Sequence, residues 1–122
     1  MRITATVMAV LLALPGAALA GRQDAEIALT EARASVGAAQ RAGAVELAGI
    51  ELKTARDMLA RAEASMERRR WDDVEREASM ARADGRLAEA RTRQYRAERS
   101  AAELEAAVET LRRELQRQGG GS

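Results

Sequence analysis

Met66 to Glu75 reads MERRRWDDVE, and this stretch decides the fold. Three consecutive cations, Arg68-Arg69-Arg70, complement the partial negative charge at a helix C-terminus. Asp72-Asp73 complement the positive N-terminus of the helix that follows. Asp72 with Glu75 also fits a capping box. The chain is therefore expected to reverse here, with Trp71 at the turning point. Apolar residues recur outward from Trp71 at three- and four-residue steps, the spacing of one helix face. Towards the N-terminus run Met66, Ala62, Leu59, Ala55 and Leu52, then Gly43, Ala39, Val36, Ala32 and Leu29. Towards the C-terminus run Met80, Ala83, Leu87 and Ala90. Past the polar Gln94 the row continues through Ala97, Ala101, Leu104, Val108, Leu111 and Leu115.

The rest of the chain supports helices. Its only Pro is Pro15, and beyond that Ala, Arg, Glu and Leu dominate, all strong helix formers. Asp24 can cap a first helix whose face is Ala25, Leu29, Ala32, Val36, Ala39 and Gly43. Gly43 to Gly49 (GAVELAG) interrupts it, and the apolar phase slips there from Gly43 to Val45. Three helical segments follow, at about 24–42, 48–69 and 72–117. The fold class is all-α, an elongated antiparallel helical hairpin or coiled-coil-like bundle. The third helix meets no strong breaker before Gly119, and at 1.5 Å per residue it is roughly 70 Å long. Residues 21–117 form a single helical domain, with a flexible Gly-rich tail at 118–122.

The two arms have a registration. Leu29 with Leu111, Ala32 with Val108, Val36 with Leu104, Ala39 with Ala101 and Gly43 with Ala97 share one sum of residue numbers, as antiparallel pairing requires. Leu52 with Ala90, Ala55 with Leu87, Leu59 with Ala83 and Ala62 with Met80 share a sum two larger. This favours a third helix that runs back along the second and then along the first. The rival packing folds the first helix onto the second as a compact three-helix bundle and leaves Ala97 to Leu115 projecting.

The first twenty residues have the form of a secretory leader: Arg2 as the charged region, Ile3 to Leu14 as the apolar region, and Ala18-Leu19-Ala20 as an A-x-A cleavage site. The apolar run is shorter than the roughly 20 residues a membrane span needs. Cleavage is expected, leaving no transmembrane anchor and a periplasmic protein. Removing Arg2 from the 20 basic residues leaves 19, against 19 acidic. That balance gives no electrostatic case for nucleic acid or an anionic membrane. There is no Cys, hence no disulfide, no thiolate ligand and no lipid anchor. There is also no Phe, and Trp71 and Tyr95 are the only aromatic residues. An Ala-rich core buries little apolar area per residue, so the object is thin.

Chemistry finds no foothold. Without His or Cys, the hydroxyls of Ser35, Ser65, Ser79, Ser100, Thr30, Thr54, Thr92 and Thr110 have no base placed to activate them. The carboxylates alternate with arginines, as on solvated helix faces. Glu103 and Glu105 face different directions, which disfavours a metal site. The arginines Arg91, Arg93, Arg96 and Arg99 spread around the helix rather than along one stripe. No catalytic, metal or cofactor residue is assigned, and an enzyme is not expected. Gly85 lies mid-helix, where Gly costs about 1 kcal/mol against Ala. A close helix crossing explains it, and so does tolerance in a long helix. Trp71, Val74, Ala78 and Ala81 look like the second helix of a tetratricopeptide-type hairpin, without a second copy to make an array. The candidates for packing or interaction are Trp71, Val74, Leu87, Tyr95, Leu104, Val108, Leu111 and Leu115.

The wider stretch resembles a known family. Three runs carry the resemblance: Glu31-Ala32-Arg33 through Ala42-Gly43-Ala44; Glu51-Leu52-Lys53-Thr54-Ala55 through Leu59-Ala60-Arg61-Ala62; and Trp71 with Ala81-Arg82-Ala83-Asp84 and Leu87-Ala88-Glu89-Ala90-Arg91. In order and spacing they are similar to the bacterial envelope family catalogued as domain of unknown function 4398. The resemblance implies export, often with a lipid anchor, and in some members an OmpA-like peptidoglycan-binding domain. It brings no catalytic residues. The expected function is a non-enzymatic periplasmic scaffold or adaptor, with an envelope protein or a second copy as partner. The alternative is a chaperone-like holdase for unfolded envelope proteins.

Overall fold

The computed structural model describes residues 16–121. The leader's charged and apolar regions lie outside the described residues. Four helices follow one another: α1 (Gly16–Ala42), α2 (Ala44–Leu47), α3 (Gly49–Glu67) and α4 (Trp71–Gly119). The all-α expectation holds. Two boundaries differ from the reading above. α1 is already helical well before Asp24, so Asp24 lies in its interior and caps nothing. α4 begins at Trp71, and its N-cap residue Arg70 makes no side-chain cap. Asp73 instead pairs with Arg76 at 2.8 Å and Arg70 at 3.5 Å, and no capping box forms from Asp72.

Two breaks turn the chain. Gly43 has φ 95°, a left-handed conformation that Gly adopts without a Cβ penalty. The single-turn α2 then leads to Ala48, whose ψ of 47° starts α3 in a new direction. At the second break Arg69 takes the same left-handed region with φ 57°, although it is not Gly. Its N–H donates to the Met66 carbonyl at 3.1 Å, and the Arg70 N–H donates to the Ser65 carbonyl at 3.0 Å. These two bonds form a Schellman motif, which satisfies carbonyls that a helix end leaves orphaned.

Both breaks are reversals, and this corrects the favoured pairing of the first arm. α1 does not lie along the distal part of α4. It folds back on α3, where Arg33 pairs with Glu63 at 2.9 Å, and it runs parallel to the start of α4. Successive contacts fix that direction. Trp71 packs over Gly21, Arg82 pairs with Glu31, Ser35 lies against Gly85, and Arg96 lies beside Gly43. The α3–α4 register is the expected antiparallel one. Ser65 donates to Glu77 at 2.7 Å and Arg91 approaches Glu51 at 3.9 Å, both with the residue-number sum read from the sequence. The compact bundle wins because α1 then buries one stripe against two helices rather than one.

The core is built of small residues. Ala25, Leu29 and Ala32 meet Ala62, Val74, Ala78 and Ala81 near the α3–α4 turn. Val36 and Ala39 meet Ala44, Ala48, Leu52, Ala55 and Ala88 at the other end. Val45, where the apolar phase is expected to resume, is exposed and Ala44 is buried in its place, while Ala48, next on that row, is buried as expected. The buried face of α4 is Val74, Ala78, Ala81, Gly85, Ala88 and Thr92. The stripe expected there, Met80, Ala83, Leu87 and Ala90, faces solvent. Small side chains let α4 approach two helices at once, which Met80 and Leu87 would prevent.

Gly85 marks the closest approach. A Cβ there would sit 2.6 Å from Ser35 Oγ and 3.0 Å from the Ser35 carbonyl carbon, and Ser35 Oγ donates to the Arg82 carbonyl at 2.8 Å. The crossing, not tolerance, therefore accounts for this glycine. Gly85→Ala should lower the melting temperature, because overpacking costs about 1–3 kcal/mol against a propensity gain of about 1 kcal/mol. Arg69→Gly should raise it, because relieving a left-handed non-Gly residue is worth about 1 kcal/mol. Thermal unfolding by circular dichroism checks both, and a stabilised Gly85→Ala protein would contradict the crossing.

Candidate interaction surface

α4 carries two opposed faces. One closes the bundle core. The other keeps a seven-residue rhythm from the bundle to the end of the helix. Met80, Leu87, Gln94, Ala101, Val108 and Leu115 recur at one heptad position, and Ala83, Ala90, Ala97, Leu104 and Leu111 at the other. These are the a and d positions of a left-handed coiled coil. Every residue from Arg93 to Gly121 is exposed, so the distal half of α4 projects from the bundle as a free arm of about 40 Å.

The stripe is large for an uncovered surface. Leu104, Leu111 and Leu115 are about two-thirds exposed, and Met80 and Leu87 about half. Solvent-facing leucines at single positions are ordinary. On the arm Leu104, Val108, Leu111 and Leu115 recur along one helix face, an exposed apolar patch rather than scattered single positions. Burying such a side chain fully is worth about 1.5–3 kcal/mol, so covering the half to two-thirds that remains exposed is worth about 1 kcal/mol or more at each.

Charge flanks the stripe unevenly. Beside its proximal half lie Asp84, Arg86, Arg91 and Arg93; beside its distal half lie Glu98, Glu105, Arg112 and Glu114. The proximal flank is net basic and the distal flank net acidic. Gln94, the polar interruption, is satisfied on its own helix. It accepts from Arg91 at 3.3 Å and donates to Glu98 at 2.9 Å.

The candidate residues divide between the two faces. Val74 is fully buried in the core, and Trp71 packs partly buried against the same cluster beside Met66. Leu87, Leu104, Val108, Leu111 and Leu115 share the exposed stripe. Tyr95 is also exposed, one position away from Gln94 and off the stripe's axis. Met80 is read from the sequence as part of this row, and Arg91 and Arg93 as arginines spread around the helix, but neither Met80 nor the flanking charges are among the interaction candidates. Their meaning depends on which stripe faces outward, and periodicity alone gives two candidates. Among the described residues no group of three His, Cys, Asp or Glu side chains converges, and no helix is long and apolar enough to cross a membrane.

Residues 27–104 match the family described as Domain of unknown function (DUF4398). The chain belongs to this family. The matched span takes in nearly all of the bundle and the exposed stripe as far as Leu104. No curated protein and no solved structure matched the chain.

The division into faces has a measurable consequence. Leu52→Ala should destabilise the protein by about 2–4 kcal/mol, since Leu52 is fully buried. Trp71→Ala should also lower the melting temperature, by less. Leu104→Ala and Leu111→Ala should stay within about 0.5 kcal/mol in dilute solution. Chemical denaturation of the variants at low protein concentration checks the contrast. Equal losses at Leu52 and Leu111 would refute the assignment of the stripe to the surface.

Proposed function

We propose that this is a non-enzymatic protein of the bacterial cell envelope, exported to the periplasm, that acts as a scaffold or adaptor. Its bundle is a base, and the arm of α4 presents an apolar ridge to another helix. The observation that carries this reading is the exposed heptad stripe from Met80 to Leu115 on the face opposite the core. An amphipathic helix of this kind is recognised by side chains at three- and four-residue spacing. The leader-like first twenty residues support the address, and the absence of His and Cys supports a role without catalysis. The holdase reading rests on the same exposed leucines and valine, which also suit unfolded chains.

Site-specific photo-crosslinking in cells tests it. Probes at Leu104 and Leu111 should give one or a few discrete adducts, while probes at Ala106 and Arg113, on the far side of the arm, should give none. A ladder of many clients from the stripe would favour the holdase. Adducts of equal strength from both faces would remove the adaptor reading.

A further inference from the structure

We propose that the α4 stripe docks on the same stripe of a second copy of this chain, in antiparallel orientation, so that each arm lies along the outer face of the other copy's bundle. The proposal rests on the reading of the stripe as a helix-binding ridge and names its occupant.

Charge selects the second copy and its direction. In a two-stranded coiled coil the residues flanking the a and d positions decide orientation. A parallel pair would set Arg86 against Arg91 of the second copy, a repulsion that the facing of Arg93 and Glu98 only offsets, and would leave Glu105, Arg112 and Glu114 opposite the uncharged Ser100, Ala107 and Gly119. Reversal lays basic on acidic. With Ala97 level with Ala101 of the second copy, Arg86 meets Glu114, Arg91 meets Glu105, and Asp84 meets Arg112. The two-fold symmetry makes each pair twice. One like pair remains, Glu98 against Glu98, and that carboxylate already accepts from Gln94.

Side-chain size agrees. In the reversed register Leu115 faces Ala83, Val108 faces Ala90, and Leu111 faces Leu87. Leu115 and Val108 of the arm fall on alanines of the bundle and Leu111 on the half-exposed Leu87, while Leu104 faces Gln94, and only Ala97 and Ala101 pair small with small. A parallel pair would stack Leu104, Val108, Leu111 and Leu115 on their own copies, while at the bundle Met80 and Leu87 layers would alternate with the Ala83 and Ala90 layers. Nor does Gln94 call for a matching Gln across the contact, since its amide is satisfied by Arg91 and Glu98 of its own helix. Met80, Ala83, Leu87 and Ala90 are open on the bundle surface, so the arm has room to seat there.

The test uses the full mature chain. Sedimentation equilibrium should give a dimer at micromolar concentration, and Leu104→Asn with Leu111→Asn should give a folded monomer by circular dichroism. The chain has no Cys, so introduced ones are unique. Under oxidation, Leu87→Cys and Leu111→Cys should each stay uncrosslinked alone and form a covalent dimer when mixed. Arg86→Glu should weaken the dimer by roughly five- to tenfold at low salt, and Arg86→Glu with Glu114→Arg should restore it. In a parallel dimer Arg86→Glu would instead strengthen association, and each single Cys variant would crosslink with itself. Either result, or a monomer at all concentrations, overturns the proposal. A monomer whose stripe still crosslinks a different envelope protein would overturn this inference and leave the adaptor reading standing. A dimer whose stripe crosslinks only its own copy would do the reverse.

Discussion

The close crossing at Gly85 is the constraint on which the rest of the structure depends. α4 must touch α1 and α3 together, and only a face of Ala78, Ala81, Gly85 and Ala88 lets both backbones come near enough. Once that face turns inward, helical geometry settles the remainder. Met80 and Leu87 lie on the opposite side and cannot enter the core. Because α4 continues unbroken to Gly119, the outward face of the bundle and the ridge of the arm are one surface.

The sequence made much of this legible. Helix content follows from composition, the two breaks from Gly43 and the Arg68–Arg70 run, and the α3–α4 register from the shared sum of Leu52/Ala90 and its neighbours. The partner of α1 was not legible from pairing sums. Its stripe of Ala25, Leu29, Ala32, Val36 and Ala39 is regular enough to match either half of α4, and residue-number sums detect only antiparallel partners. The actual α1–α4 contact is parallel, so its signature is a constant difference, as Gly21 with Trp71 and Ser35 with Gly85 display.

The face of α4 was misread for a related reason. Two apolar rows run along its first half, one of large residues and one of small. Apolar area favours burying the large row, while close packing of three helices favours the small one. Packing prevails here. The row Trp71, Val74, Ala78, Ala81 was visible as a tetratricopeptide-like spacing, and Gly85 extends it at the same rhythm. A mid-helix glycine in register with a row of alanines is therefore a sign of the buried face, and it outweighs the larger side chains of the competing row.

The same choice ties stability to function. A core of alanines, with Leu29, Val36, Leu52 and Val74 as its larger members, removes modest apolar area from water. The larger aliphatic side chains of α4 are held outside that core, on the stripe. A protein that placed them inward would be more stable alone and would have no ridge to offer. With alanines inside, the unspent apolar area of Met80, Leu87, Leu104, Val108, Leu111 and Leu115 is available to an intermolecular contact, and covering it stabilises the arm and the bundle together because both belong to one continuous helix. Association through the stripe would thereby be linked to folding, and an occupant that binds only the folded protein would raise the free energy of unfolding of the bundle beneath it.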